Sequence, residues 1–239
     1  MGVRLHAASV PGPAHLQAGL PNQDAVLIRR GRWGWLAAVS DGMGSRTHAR
    51  AGARAACRAA RQSVRQVPFE AEDRAWVETL YRDWLAQLAK EHIRPADAAA
   101  TCLLARGLPD GRFRLAQLGD GLILGHPQPV RGLAKREADA FGNETLGLGV
   151  SRRFADWHFA RGALTEPGHG LALMTDGIAD DLGDTDGLIE SLVVDLRRRG
   201  ARAARVALTR DLNDWPTRHH SDDKTIAVVY RAGGRISNE

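Results

Sequence analysis

W-G-W-L-A-A-V-S-D-G-M-G-S, residues 33–45, carries an apolar run directly into Asp41 and Gly42. A short apolar run that ends at a turn is typical of a buried β-strand. A charge at the end of such a strand is costly unless it has a partner. The glycine after it lets the backbone approach a bound group, so the Gly42 carbonyl is also available as a ligand. We therefore interpret Asp41 as a functional carboxylate.

Four more segments place an aspartate beside an apolar run. They are N-Q-D at Asp24, Q-L-G-D-G at Asp120, L-M-T-D-G-I at Asp176 and S-D-D-K-T at Asp222. Carboxylates that come together repel and raise one another's pKa. The simplest reason to gather several of them is a hard divalent cation, which prefers oxygen ligands. The pattern indicates a metal-dependent hydrolase.

Some of these carboxylates also have an ordinary structural interpretation. Asp24 is placed to cap a turn after Pro21, and Asp120 is placed to serve a Gly-Asp-Gly turn. Asp41 and Asp176 fit that interpretation less well, because a core strand runs directly into each of them.

The strand patterns and the helix patterns fall in separate groups along the chain. Strands are predicted over 24–30, 33–40, three segments between 99 and 126, 154–161, 170–176 and 225–230, and helices over 47–66, 70–92 and 185–211. Antiparallel strands with helices grouped apart from them indicate an α+β layered fold and exclude alternating βαβ units.

Size and composition favour one domain over residues 1–239, with a short frayed tail at 231–239. No apolar run approaches the roughly 18 residues that cross a bilayer, and the N-terminus lacks an apolar signal core. The two cysteines, Cys57 and Cys102, form neither a disulfide framework nor a zinc pattern. We expect a cytoplasmic protein that does not associate with a membrane.

The net charge is +5, and most of the positive charge is arginine. Spacing of three or four residues places six arginines on one helix face: Arg46, Arg50, Arg54, Arg58, Arg61 and Arg65. Such a face is either simply solvated or a docking stripe for an acidic or phosphorylated partner. Few aromatic residues interleave with these arginines, so nucleic-acid binding is not expected.

In their order along the chain, the five motifs resemble those of the type-2C (PPM) metal-dependent serine/threonine protein phosphatases. The resemblance covers Asn22 to Val229 and is greatest for a bacterial branch with the motifs H-x-x-x-G-x-P-x-Q-D and D-G-x-G-S, here 15–24 and 41–45. It implies a four-layer α-β-β-α sandwich in which helix pairs flank two antiparallel sheets.

The resemblance also implies two Mn²⁺ or Mg²⁺ ions, and in some members a third, weaker one. Asp41 would bridge the two ions, with Gly42 and Asp24 on one side, and Asp120 and Asp180 would serve the third ion. The implied metal ligands are Asp24, Asp41, Gly42, Asp120, Asp176, Asp180 and Asp222. Asp222 is preferred over the residue after it because the family ligand is the first of the pair.

The sequence departs from the family pattern at three places. Residues 17–21, shortly before Asn22, contain no arginine to clamp the substrate phosphate, and His15 is the nearest substitute, as a phosphate contact or as a proton donor. We place His15 on a strand leading into the first motif, where a merely packed or exposed histidine is the alternative. The family's G-D-S is G-D-G here, and the flap over 142–157 is short. His219 and His220 are either outer groups of the site or exposed loop histidines.

Two functions follow from these observations. The first is a bacterial signalling phosphatase that hydrolyses phosphoserine and phosphothreonine in proteins, paired with a cognate Ser/Thr kinase or its targets. The second is a phosphoprotein-binding or regulatory module that kept the fold but catalyses weakly, which the absent arginine suggests.

Overall fold

The computed structural model describes residues 2–127, 130, 146–183, 185, 187–216 and 221–233. The strands in these residues are, in chain order, β1 (Val3–Val10), β2 (Ala25–Gly31), β3 (Gly34–Ser40), β4 (Cys102–Gly107), β5 (Arg112–Leu118), β6 (Leu122–His126), β7 (His158–Ala163), β8 (Gly170–Met174) and β9 (Lys224–Arg231). The helices are α1 (Pro13–Ala18), α2 (Ala49–Gln66), α3 (Asp73–Lys90), α4 (Asp176–Ala179), α5 (Leu188–Arg197) and α6 (Ala201–Asn213). Short 3₁₀ turns occur at Pro95–Ala98 and Phe154–Asp156.

Two antiparallel sheets stack face to face. The first has the strand order β1-β9-β8-β6 and the second the order β2-β3-β4-β5-β7. Apolar side chains from both sheets meet between them, among them Trp35, Leu103, Leu173 and Val229. This interior is the packing expected of a β-sandwich, in which alternate residues of each strand face the other sheet.

A helix pair covers the outer face of each sheet. Helices α2 and α3 pack on the second sheet through residues such as Ala56, Trp76 and Trp84. Helices α5 and α6 pack on the first sheet through residues such as Val193 and Leu208. The four-layer α-β-β-α sandwich predicted from the sequence is therefore confirmed.

The alanine-rich face of α2 explains its close packing. Small side chains let α2 approach both α3 and the sheet. Two tryptophan indoles of α3 donate hydrogen bonds to α2. Trp84 Nε1 donates to the Gly52 carbonyl at 3.1 Å and Trp76 Nε1 donates to Ser63 Oγ at 3.2 Å. The arginines at 54, 58, 61 and 65 lie on the exposed side of α2, as the spacing predicts.

Some elements differ from the sequence prediction. Strand β1 was not predicted, because its alternation is carried by alanines and by a buried His6 that stacks on Tyr230. The predicted helix over 185–211 is two helices, since Gly200 ends one segment and is the N-cap of α6. The predicted strand over 154–161 begins only at His158. Arg231, assigned to the tail, is the last residue of β9.

The strand pairing brings the aspartate segments to one end of the sandwich. Ala25 pairs with Ser40, so the start of β2 lies beside the end of β3. Leu122 pairs with Met174, which places the β5–β6 turn at the end of β8. None of the helices in the described part of the chain combines the length and apolar composition needed to cross a membrane.

Candidate metal centre

Three aspartates from separate strand ends converge at this end of the sandwich. Asp41 follows β3, Asp120 lies between β5 and β6, and Asp176 begins α4 directly after β8. One carboxylate oxygen of each lies within 4.8 Å of the other two. All three side chains are partly buried, so water screens their mutual repulsion poorly.

The electrostatics of Asp41 show how unfavourable this arrangement is without a cation. Burial raises the pKa of Asp41 well above its usual range, and the charges of Asp24, Asp222 and Asp120 raise it further. The backbone holds the residue firmly, because the Asp41 N–H donates to Thr101 Oγ1 at 2.9 Å and the Asp41 carbonyl accepts from the Thr101 N–H at 2.8 Å. These two bonds fix the backbone from which the carboxylate extends toward its neighbours.

Asp24 is the most deeply buried carboxylate of the cluster. Its Oδ2 accepts a hydrogen bond from Thr175 Oγ1 at 3.0 Å, and its N–H donates to Asn22 Oδ1 at 2.8 Å. Oδ1 of Asp24 is buried and receives no hydrogen bond from a described donor group. Burial raises the pKa of Asp24 to about 7, although its contact with Asp41 and the threonine hydroxyls lowers it. A buried carboxylate oxygen without a donor is an oxygen that a cation would satisfy.

Asp176 occupies the first position of α4. Its carboxylate accepts from the Gly177 N–H at 2.7 Å. Burial raises the pKa of Asp176 to about 8, and the charges of Asp41, Asp120 and Asp222 add to the rise. Asp176 is therefore coupled to the same cluster from the opposite sheet.

The glycines after Asp41 and Asp176 serve the packing around the site. A Cβ on Gly42 would collide with the Ala49 carbonyl at the start of α2, and a Cβ on Gly177 would collide with the Asp223 carbonyl. Each glycine therefore lets two site-forming segments touch. The role of the Gly42 carbonyl as a metal ligand stays a prediction.

Asp222 and Asp223 differ sharply in environment. The Asp222 side chain is exposed, and its charge acts on Asp41 and Asp176. Asp223 is buried, and its two oxygens accept the N–H groups of Gly12 at 2.7 Å and Gln23 at 2.6 Å. Both oxygens of Asp223 thus accept backbone N–H groups, whereas Asp222 Oδ1 accepts the Asp223 N–H at 2.8 Å. The role of Asp222 as the metal ligand of the pair stays a prediction.

His15 lies on α1 and not on a strand, contrary to the prediction. Helix α1 begins here because Pro13 occupies the first helical position, where its fixed φ suits a helix. His15 Nδ1 lies 2.8 Å from Asp223 Oδ1, and potential ligand atoms of His15, Asp222 and Asp223 lie within 4.8 Å of one another. The site thus has a second polar group beside the aspartates.

Asp180 does not join either group of potential ligands in the described residues. It lies one turn after Asp176, where its N–H donates to the Asp176 carbonyl at 2.9 Å, and its side chain is exposed. His219, His220 and residues 142–145 of the short flap lie outside the described residues.

Two residues near the site were missed as participants. Thr175 bridges Asp24 and the backbone of β9, since its Oγ1 donates to Asp24 and accepts the Thr225 N–H at 3.1 Å. Asp223 orders the loop around His15. The paired aspartates of S-D-D-K-T were a signal for Asp223, but the pattern of the sequence does not say which of two adjacent carboxylates turns inward.

The donor set fits hard divalent cations. It consists of the carboxylate oxygens of Asp41, Asp120 and Asp176 and contains no thiolate. Burial, and then the neighbouring carboxylates, raise the pKa of Asp41 and of Asp176. Such oxygen sites favour Mg²⁺ or Mn²⁺ over zinc. Both cysteines are buried free thiols, and neither belongs to a group of potential ligands in the described residues.

Comparison with known proteins agrees with this geometry. A sequence model of the protein phosphatase 2C family matches residues 11–218. No curated protein matches the chain significantly.

Several solved structures share the fold at low identity. A catalytic domain of the serine/threonine protein phosphatase PstP in complex with two manganese ions matches with a TM-score of 0.63 and 17% identity, over 97% of this chain and 99% of that chain. PppA, described as a key regulatory component of T6SS in Pseudomonas aeruginosa, matches with a TM-score of 0.65 and 18% identity, over 96% and 98%. RsbX in complex with magnesium matches with a TM-score of 0.59 and 15% identity, over 95% and 94%.

Proposed function

The chain belongs to the protein phosphatase 2C family, and we propose that it is a metal-dependent phosphatase of phosphoserine and phosphothreonine in proteins, with 1–239 as one catalytic domain. One observation carries the proposal. Asp41, Asp120 and Asp176 come from three separate strand ends, yet their oxygens lie within 4.8 Å of one another. A fold gathers repelling carboxylates in this way when a cation offsets the repulsion.

Asp41 and Asp176 would hold two Mn²⁺ or Mg²⁺ ions together with Asp24, Asp222 and the Gly42 carbonyl, and Asp120 would serve a third, weaker ion. When bound, such ions supply an activated hydroxide and neutralise phosphoryl oxygens. PstP was solved with two manganese ions and RsbX with magnesium. Asp180, which is exposed and outside the groups of potential ligands, is supported only by the family pattern for a third ion.

His15 would contact the substrate phosphate or protonate the leaving oxygen. The carboxylate of Asp223 is an acceptor, so the shared hydrogen bond places the imidazole proton on Nδ1. Nε2 is then the ring atom left to face a substrate. The side chain is 15% exposed, so it is held in one orientation but still reaches the solvent side of the site.

The alternative is a phosphoprotein-binding or regulatory module that catalyses weakly. The specific observation in its favour is the segment before Asn22, which contains no arginine for bidentate phosphate binding. PppA is described as a regulatory component. The alternative predicts metal binding without efficient turnover.

We further propose a cytoplasmic, bacterial signalling role with a phosphoprotein substrate and a cognate Ser/Thr kinase or its targets as partners. The buried, unpaired thiols of Cys57 and Cys102 are compatible with a reducing compartment.

The deciding experiment is hydrolysis of p-nitrophenyl phosphate and of a phosphothreonine peptide, in EDTA, Mg²⁺ or Mn²⁺. Asp41→Asn should abolish turnover, whereas Asp211→Asn should not, because Asp211 is exposed on α6 and pairs with Arg210. Calorimetric binding of Mn²⁺ without turnover of either substrate would favour the binding module. Turnover that persists in EDTA would contradict the metal-dependent mechanism.

A further inference from the structure

One side of the sandwich is formed by the edges of both sheets. Strand β1 is the first strand of one sheet and β2 is the first strand of the other. The two strands stay close along their length: Asn22 Nδ2 donates to Ser9 Oγ at 2.8 Å at one end, and an Arg30 guanidinium N–H donates to the Val3 carbonyl at 2.9 Å at the other. This side therefore runs from the carboxylate cluster at Asp24 to the far end of the sandwich.

Two open grooves lie along this side. A groove of about 470 Å³ is lined by residues 24–27 of β2 and by arginines of the first half of α2. A second groove of about 480 Å³ is lined by residues 28–30 of β2, residues 4–6 of β1 and the start of α6. Residues 25–27 of β2 line the first groove and residues 28–30 line the second, so both grooves border the same edge strand, which we call the track.

Six arginines line the two grooves, and we call this surface the basic edge: Arg4, Arg29, Arg30, Arg50, Arg54 and Arg58. Among the described residues, Arg58 is the one member that pairs with a carboxylate, Glu91, at 3.1 Å. Asp24 is the one acidic residue in the lining of either groove. The positive charge of the basic edge is therefore largely uncompensated within the described part of the protein.

The arginine stripe of α2 divides into two parts with different surroundings. Arg50, Arg54 and Arg58 line the groove beside Asp24, whereas Arg61 and Arg65 are exposed and line neither groove. Arg50 also has a buried Nε that makes no hydrogen bond with the described residues. The second part is a solvated face, and the first part has the shape and charge of a binding surface.

We propose that the basic edge binds an acidic segment of the phosphoprotein substrate, adjacent to the phosphorylated residue held at the carboxylate cluster. The proposal rests on the proposed phosphatase function and adds a substrate class, namely phosphoproteins with aspartate, glutamate or further phosphate beside the target residue. The track starts at Asp24, so a chain with its phosphate at the metal centre continues directly onto it. Strand β2 spans about 20 Å at roughly 3.3 Å per residue, which suits an extended segment of similar length.

A nucleic acid fits this surface less well. Neither groove is lined by Trp, Tyr or Phe in the described residues, and sequence-tolerant binding of single strands relies on aromatic stacking. An acidic protein segment can instead present its charges to the arginines and its phosphate to the metal centre.

The test is direct binding in EDTA, where no hydrolysis occurs. Two fluorescent peptides carry the same phosphothreonine, one within a run of glutamates and one within a run of glutamines, and anisotropy gives their affinities. The acidic peptide should bind at least about tenfold more tightly, and raised salt should weaken it. Arg29→Glu/Arg54→Glu should remove most of that difference.

Arg61→Glu/Arg65→Glu is the matched control, since it changes the net charge by the same amount on exposed residues outside the grooves. The affinity of this control variant for the acidic peptide should stay within about twofold of the affinity of the unchanged protein. An equal loss of affinity for the acidic peptide in both double variants would overturn the proposal, because it would show that the peptide responds only to the net charge of the protein. Tighter binding of a single-stranded DNA oligonucleotide through Arg29 and Arg54 would also overturn it.

Turnover separates this proposal from the proposed function. Both double variants should hydrolyse p-nitrophenyl phosphate as the unchanged protein does, because that substrate is too small to reach the basic edge. The Arg29→Glu/Arg54→Glu variant should lose kcat/KM on the acidic peptide alone. If the unchanged protein hydrolyses no phosphate ester, the phosphatase function fails, while the binding result still decides whether the edge recognises acidic segments.

Discussion

His15 Nδ1 lies 2.8 Å from Oδ1 of Asp223, a carboxylate whose side chain is 1% exposed. The same carboxylate accepts the N–H groups of Gly12 and Gln23. Three residues of the stretch 12–23 thus meet on one buried carboxylate from the other end of the chain, and such charge-assisted bonds are short and directional. The orientation of His15 therefore depends on Asp223, which lies outside the proposed ligand set of the aspartate cluster.

Asp223→Asn should destabilise the protein without removing a metal ligand. An amide keeps one acceptor oxygen but turns an NH₂ group toward the N–H donor that the other oxygen served. A buried mismatch of this kind costs about 1–3 kcal/mol, which thermal unfolding in EDTA would detect. Asp222→Asn is the matched control: the residue is exposed, so its stability in EDTA should change by no more than about 0.5 kcal/mol, while Mn²⁺ binding weakens. An Asp223→Asn protein that melts like the unchanged one would contradict the anchoring role.

His15→Ala should affect substrates according to their leaving groups. If His15 protonates the leaving oxygen, kcat on a phosphothreonine peptide should fall by about 10²–10⁴. Hydrolysis of p-nitrophenyl phosphate should fall much less, because p-nitrophenolate leaves without a proton. His158→Ala, an exposed histidine at the start of β7, serves as the control. An equal loss of kcat on the two substrates would indicate instead that His15 contacts the phosphate.

Most helices and strands were predictable because periodicity is local, whereas the four-layer stacking was implied by the family resemblance. The 3.6-residue period of α2 and α3 and the apolar runs of β3 and β8 are each visible within a short window of sequence. Strand β1 was missed because a histidine and an alanine, His6 and Ala8, occupy two of its four buried positions. His6 is tolerated there by its contact with Tyr230, 3.3 Å from ring nitrogen to hydroxyl, and that partner is at the other end of the chain.

The candidate site was predictable in its residue types but not in its geometry. Asp-Gly after an apolar strand is a local signal, and it identified Asp41 and Asp176. The inward turn of Asp223 depends on N–H groups of Gly12 and Gln23, and the reach of Thr175 to Asp24 depends on how the two sheets stack. Contacts of this kind join segments far apart in sequence, so no window of sequence contains them.

The metal-free protein should become less stable as the pH rises from about 4 to about 8. The pKa of Asp24 is raised from 3.8 to about 7 and that of Asp176 to about 8. Between the unfolded and folded pKa values the folded protein binds more protons than the unfolded chain, so each step up in pH favours unfolding. Thermal unfolding in EDTA across this range should show a falling Tm, and Mn²⁺ should reverse the fall at the high end.

Asp176→Asn is the variant that isolates this effect. It removes one titrating carboxylate, so its Tm in EDTA should depend less on pH and should exceed that of the unchanged protein near pH 8. A Tm that rises between pH 4 and pH 8 in EDTA would show that the carboxylates repel one another less than their positions imply.

Gly177→Ala should damage both stability and metal binding, although it changes no ligand. A Cβ at this position would meet the backbone carbonyl of Asp223 well inside contact distance, and a backbone atom cannot turn aside as a flexible side chain can. The collision pushes Asp176 and the Asp222 segment apart. We expect a loss of about 1–3 kcal/mol in the free energy of unfolding, together with weaker Mn²⁺ binding by calorimetry. Gly200→Ala is the control, because nothing lies within 4 Å of a Cβ there and its φ is −70°. Unchanged Mn²⁺ binding in Gly177→Ala would mean that the close approach of these two segments does not set the spacing of the ligands.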